Sequence, residues 1–234
     1  MTRIANHAIL DRPIWNALTT RQAHLGQGDA LVRRFHPDVA PFAALSTETA
    51  EAWQALGRLL QPQDKVAMLS SEPLVDIEGL QGTHVGTIHQ MIATRHPTES
   101  ADDRDVIRLS IDDAPDMLDL AQRTKPGPFG KRTHEMGDYI GIREEGQLIA
   151  MAGERMRVDG YVEISAVCVD ERCRGRGLAG RLIDVLRREI GRRGDTPFLH
   201  VFSHNANAIG LYERLGFELR HAFALTQIGK VVSG

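Results

Sequence analysis

Val167-Cys-Val-Asp-Glu-Arg-Cys-Arg-Gly-Arg-Gly-Leu-Ala-Gly180 is the stretch on which the reading of this chain turns. A strand runs into a short turn rich in arginine and glycine, and the turn opens a helix from about Gly177 to Arg192. The first backbone N–H groups of a helix lack intrahelical partners, and together with the helix dipole they favour an anion. Gly175 and Gly177 let a phosphate approach the backbone with no Cβ in the way. Arg172, Arg174, Arg176 and Arg181 add positive charge, so a pyrophosphate is the natural guest. The same residues match Gly175-x-Gly177-x-x-Gly180, a dinucleotide-binding fingerprint. That fingerprint expects an acidic residue about 20 positions on. The residues there are His200-Val-Phe-Ser-His204, with no carboxylate, and only 54 residues follow Gly180, too few for the rest of such a domain. An ordinary helix start accounts for one glycine, but not for two with four arginines.

Outward from this turn the elements order themselves. Tyr161–Val169 precedes it as a strand, behind a hairpin signal at Asp159-Gly160. Before that, Tyr139–Arg143 and Gln147–Met156 form a hairpin about Glu145-Gly146. Val106–Ile111 reads as a strand, followed by a helix capped by Asp112 or Asp113 and carrying Met117, Leu118 and Ala121. After the turn come a strand at Phe198–Ser203, a helix at Asn205–Leu215 and a last strand at Phe223–Ile228. The polar stretch Arg95–Arg104, with Pro97, reads as a linker. Ahead of it, Thr47–Leu60 is a helix with Ser46 as its cap, and Lys65–Leu69 and Val85–Met91 are short strands. Six histidines fall in this part (His7, His24, His36, His84, His89 and His96) without metal-ligand spacing.

In the second helix Ala208, Leu211, Tyr212 and Leu215 lie at i, i+3, i+4 and i+7, a single face. Gly216 sits where a glycine ends a helix, and Phe217 seals it. Two segments now resemble the cofactor motifs of the GNAT superfamily of N-acetyltransferases. Arg174-Gly-Arg-Gly177-Leu-Ala179 satisfies the pyrophosphate pattern Arg/Gln-x-x-Gly-x-Gly/Ala. Asn205-x-x-Ala208-x-x-Leu211-Tyr212-x-x-x-Gly216-Phe217 is similar to the other cofactor segment. The resemblance spans roughly residues 105–230 and does not reach residues 1–100.

The resemblance implies an α/β fold of the α+β type. A mixed, mostly antiparallel GNAT-like sheet flanked by helices takes residues 105–234, preceded by a smaller α/β domain at 1–100. A degenerate copy of the same fold is the alternative for that first domain, though no motif in it supports one. Acetyl-CoA is the implied cosubstrate, without a metal. The strands Tyr161–Val169 and Phe198–Ser203 would splay to admit its pantetheine arm beside Val167, Cys168 and Val169. Arg174, Gly175, Arg176, Gly177, Leu178 and Ala179 would hold the pyrophosphate, and Asn205, Ala208 and Tyr212 the second segment's contacts. Tyr212 would be the acid for the departing thiolate, since a phenol of pKa about 10 stays protonated at neutral pH.

Glu163 is the candidate base. With a period of two, Glu163, Ser165, Val167 and Val169 would share a face, and a carboxylate among apolar residues would have a raised pKa. His204, Glu154 and a water chain compete with it. Cys168 as a covalent acetyl carrier is set against the family's usual direct transfer. The loop Lys125–His134 corresponds to the family loop that walls the acceptor side. The acceptor is then a primary amine of a small molecule or a peptide. A rival of another class is a non-catalytic acyl-CoA-binding regulatory module, and a third reads the arginines between Arg172 and Arg193 as a nucleic-acid patch.

Composition bounds these readings. The chain has 234 residues, 42% of them hydrophobic, and a formal charge of -3, so no global basic field points to nucleic acid. Lys65, Lys125, Lys131 and Lys230 are its only lysines, and Cys168 and Cys173 its only cysteines, too few for a disulfide framework. No apolar run approaches the roughly 20 residues of a membrane span, and Met1–Thr20 carries no signal-peptide core. A cytoplasmic protein with no membrane or nucleic-acid partner is expected, its oligomeric state left open.

Overall fold

The structure, a computed structural model, describes residues 7–74, 77, 79–95, 97 and 103–231. Most of the expected linker, residues 96 and 98–102, lies outside the described residues. In chain order the elements are α1 (Pro13–Thr19), β1 (Gly26–Gly28), β2 (Val32–Phe35), β3 (Ala43–Leu45), α2 (Ala50–Leu59), β4 (Lys65–Ser70) and β5 (Leu80–Ala93). There follow β6 (Val106–Leu109), α3 (Ala114–Thr124), β7 (Tyr139–Glu144), β8 (Gln147–Val158), β9 (Tyr161–Val169), α4 (Leu178–Arg192), β10 (Thr196–Phe202), α5 (Ala206–Arg214) and β11 (Phe217–Lys230). The chain forms two compact units. One gathers the residues up to His36, Pro41–Gly86 and those from Phe223 on; the other is Pro37–Ala40 with Thr87–Ala222.

In the first unit β1, β2 and β3 make a small antiparallel sheet, and β4 pairs antiparallel with β11 from Ala224↔Ser70 to Gly229↔Lys65. Helix α2 starts later than its sequence suggests. Thr49, not Ser46, caps it by accepting from the Ala52 N–H, while the Ser46 N–H donates to the Leu31 carbonyl. Ala52, Ala55 and Leu56 then pack on Val32, Leu45, Val66, Met68 and Ile228. Helix α1 and strands β1–β3 were not foreseen, for each is too short to show a hydrophobic period.

The second unit carries the sheet that positions the site. Strands β6, β7, β8 and β9 are antiparallel neighbours, β9 and β10 are parallel, and β10 is antiparallel to β5. This is the mixed, mostly antiparallel sheet expected. Leu182, Ile183, Leu186 and Ile190 of α4 bury one face of it on Ile140, Ala150, Val162, Ile164 and Leu199. On the opposite face α3 lays Met117, Leu120 and Ala121 on Tyr139, Met151, Ala166 and Cys168. Among the described residues no helix is long and apolar enough to cross a membrane.

Two irregularities in β9 matter for function. Met151 pairs with Cys168 and Gly153 with Ser165, so β9 carries one residue more than β8 over this stretch. Ala166, at φ +51°, sits in that bulge. The bulge reverses the alternation of side chains. Glu163 and Ser165 therefore do not share a face with Val167 and Val169, which pack with the α4 cluster alongside Val162 and Ile164, while Cys168 turns to α3. The second irregularity is that β9 and β10 are in register only at Thr196↔Tyr161, Pro197↔Val162 and Phe198↔Glu163, although β9 runs on to Val169 and β10 to Phe202. The two parallel strands part beyond Glu163.

Candidate active site

At the end of β9 the chain enters a 3-10 turn, Glu171–Cys173, whose first N–H groups are ordered by the Asp170 carboxylate, which accepts from the Arg172 N–H at 3.1 Å. Gly175 and Gly177 then take left-handed backbone, at φ +80° and +75°. Gly177 is the N-cap of α4 and offers no side chain to the helix. The N–H groups of the first turn, from Leu178 on, are thus left for an outside acceptor. A Cβ built on either glycine meets nothing within 4 Å. These positions face open space and need glycine for their backbone conformation. The donor set is a run of backbone amides, which suits a pyrophosphate.

The arginines contribute less than their number suggests. Arg172 pairs with Asp170 at 3.0 Å, Arg174 with Glu171 at 3.4 Å, Arg176 with Glu144 at 3.1 Å, and Arg181 with Asp105. Arg172, Arg174 and Arg176 are exposed and each is paired with a carboxylate, so the backbone is left as the main grip for an anion.

Helix α5 begins where its motif placed it. Asn205 Oδ1 caps it, accepting from the Ala208 N–H at 3.2 Å. Ala208, Leu211, Tyr212 and Leu215 lie against the α4 cluster together with Val167 and Val169. The two cofactor segments of the sequence and the bulged end of β9 therefore converge. The Tyr212 ring stands edge-on to Phe217, with centroids 6.1 Å apart, and burial raises its phenol above the ordinary value. The hydroxyl keeps its proton through neutral pH. Cys168 is buried beneath α3, and burial pushes its thiol up to about 11, which leaves almost no nucleophilic thiolate.

The carboxylates behave differently from expectation. Glu163 is wholly buried, yet its carboxyl is not raised. Burial alone would raise it, but the Arg155 guanidinium and the His200 ring outweigh burial and hold it well below the usual carboxylate range. The apolar surroundings assumed from the sequence do not exist at this position, because β8 and β10 each bring a polar side chain to it. Glu154 is also wholly buried and is matched by Arg157, at 2.9 and 2.5 Å, and by Arg193 at the end of α4. His204 is exposed and stacks on Phe202, with centroids 5.1 Å apart. The loop 125–134 starts at Lys125 in left-handed backbone, sets Phe129 edge-on to Tyr139, and is tied by Thr133 Oγ1 donating to the Val39 carbonyl at 2.5 Å.

Arg155, His200, Gln90 and Arg220 were not singled out by sequence. One signal was present: His200 is the one titratable residue of β10, and with Glu163 in register with Phe198 it falls on the same side of the sheet.

A family model of FR47-like proteins matches residues 139–224. Among curated proteins no sequence matches the chain. A GNAT-family protein from Novosphingobium aromaticivorans, described as an acetyltransferase, is 40% identical, with a TM-score of 0.88 over 95% of this chain and 99% of its own. That match extends well ahead of residue 105, into sequence where no motif had been found. A GCN5-related N-acetyltransferase from Kribbella flavida is 14% identical, with a TM-score of 0.64 over 97% of this chain and 95% of its own. A functionally unknown conserved protein from Staphylococcus epidermidis is 13% identical, with a TM-score of 0.57 over 88% and 95%. The last two share the fold.

Proposed function

This chain belongs to the GNAT family of acetyltransferases, and from that premise we propose that it transfers the acetyl group of acetyl-CoA directly to a primary amine of a small molecule or peptide. The observation that carries the proposal is the left-handed glycine pair at the start of α4, placed directly after a bulged strand that parts from its parallel neighbour. Bound acetyl-CoA would supply the thioester whose carbonyl is attacked. The amides of residues 175–180 would bind the pyrophosphate, and those of Val167, Cys168 and Val169 the arm, one of them facing the carbonyl oxygen as it gains charge. Asn205, by capping α5, and Ala208, by packing it, hold that helix in place. Tyr212 holds the proton that the departing thiolate needs, its burial keeping the phenol neutral.

The test is a screen of acetyl-CoA consumption over amines, amino acids and peptide N-termini. Thiol release that depends on an amine is expected. Tight CoA binding without amine-dependent cleavage would instead make the protein an acyl-CoA-binding module.

A further inference from the structure

Five polar side chains stand in a row across the sheet of the second unit, one from each of five neighbouring strands: Arg155 on β8, Glu163 on β9, His200 on β10, Gln90 on β5 and Arg220 on β11. Arg155 donates to both oxygens of Glu163, at 2.9 and 2.5 Å. The Met156 N–H donates to Oε2 at 3.3 Å, and His200 Nδ1 lies 2.7 Å from Oε1. A carboxylate has about four lone-pair sites. Each Glu163 oxygen already serves two partners, so no acceptor site remains for an amine or a water.

The other end of the row fixes the state of the imidazole. A guanidinium only donates, so the Gln90 oxygen must face Arg220 Nη1, 2.8 Å away. This turns the Gln90 amide nitrogen to His200 Nε2, at 3.1 Å. That nitrogen also only donates, so Nε2 must accept. The hydrogen bonds then leave Nε2 as the acceptor and Nδ1 as the donor to Glu163. The bond joins β9 and β10 beside Phe198↔Glu163, the last rung in register, with His200 two residues farther along β10. It is a side-chain bridge across the point where the strands open.

We infer that Glu163 is a positioning residue. Through His200 it sets the opening between β9 and β10, and it takes no proton from the acceptor. The kinetic part of this inference rests on the acetyl-transfer reading, whereas the hydrogen-bond part does not. If Glu163 is not the base, the amine must reach the site already neutral or lose its proton to solvent, and the acidic limb of the pH–rate profile then follows the acceptor's own pKa. An α-amine, of pKa about 8, and a lysine-like amine, of about 10.4, would give limbs roughly two units apart.

Two measurements decide it. The first is long-range proton–nitrogen NMR of the histidine rings in the wild-type protein, with the His200 signal assigned by its loss in His200→Asn. A neutral ring protonated on Nδ1 at neutral pH is expected; a ring protonated on Nε2, or on both nitrogens, would overturn the inference. The second is the pH dependence of kcat/KM for wild type and Glu163→Gln with two acceptors of different amine pKa. Turnover in the variant should fall about 10- to 100-fold, the size of a misplacement effect, while the limb moves with the acceptor and lies at the same pH in both proteins. A limb that stays fixed across acceptors and vanishes in Glu163→Gln would make Glu163 the base. If no amine is acetylated the proposed function fails, and the NMR result alone decides the inference, as it does if Glu163→Gln does not fold.

Discussion

The turn at Gly175–Gly177 and the cluster at Glu163 handle charge in opposite ways, though both flank the same strand. At the turn the charged side chains are exposed, paired with exposed or half-buried partners apart from Asp170, and screened, while the backbone presents the donors. At Glu163 the charges are buried, the pairing is bidentate, and side chains supply three of the four donors, the Met156 N–H the fourth. For the anion site we propose at the turn, fixed backbone dipoles suit a large ligand that must come and go. A strand opening that must keep one width is best pinned by buried groups that cannot leave.

The largest effect expected on the cofactor side is from Tyr212→Phe. Turnover should fall by about 100- to 10,000-fold with CoA affinity nearly unchanged, as general acid help is worth that much. Steady-state kinetics beside calorimetry would show it, and an unchanged turnover number would reduce Tyr212 to packing against Phe217.

On the cluster side Arg155→Met should cost about 3–5 kcal/mol of stability, because it leaves Glu163 buried without its ion partner. Urea unfolding measures this. A cost below about 1 kcal/mol would mean that the cluster is no more than a surface pair in disguise.

The same pair fixes a pH dependence. The Glu163 carboxyl is lowered in the folded protein, so its contribution to stability is complete above the unfolded value of about 4.3 and is lost as pH falls below it. The stability gap between wild type and Glu163→Gln should therefore narrow on acidification from pH 5 toward roughly pH 3. A gap that stayed constant would show that the carboxyl is not depressed.

At the turn, Gly177→Val should weaken CoA binding by about 1–3 kcal/mol, since a branched side chain is strained at φ +75°. Smallest of all, Arg174→Ala and Arg176→Ala should each change CoA affinity by no more than about 1 kcal/mol, as both are exposed and already paired. If the arginine variants lost more affinity than Gly177→Val, the contrast between backbone grip and side-chain pinning would fail.

What the sequence determined by itself is local. Strand β9 has the bounds its pattern predicts, Tyr161–Val169, and α4 and α5 begin within a residue of the expected positions. Gly177, Asn205 and Gly216 punctuate the chain by rules that act over one turn of backbone. The glycine turn was legible for the same reason: its left-handed backbone and the helix start are carried by consecutive residues. What only the tertiary structure decided is everything that needs a neighbour from another strand. The bulge at Ala166 is set by the pairing of β9 with β8, and it sends Val167 and Val169 to the α4 face against the simple alternation. Glu163 looked like a carboxylate in apolar surroundings because its partners lie eight residues away, at Arg155, and 37 away, at His200. Periodicity tells which side of a strand a residue faces, but the partner it meets depends on strand order and register, and those are settled only when the sheet assembles.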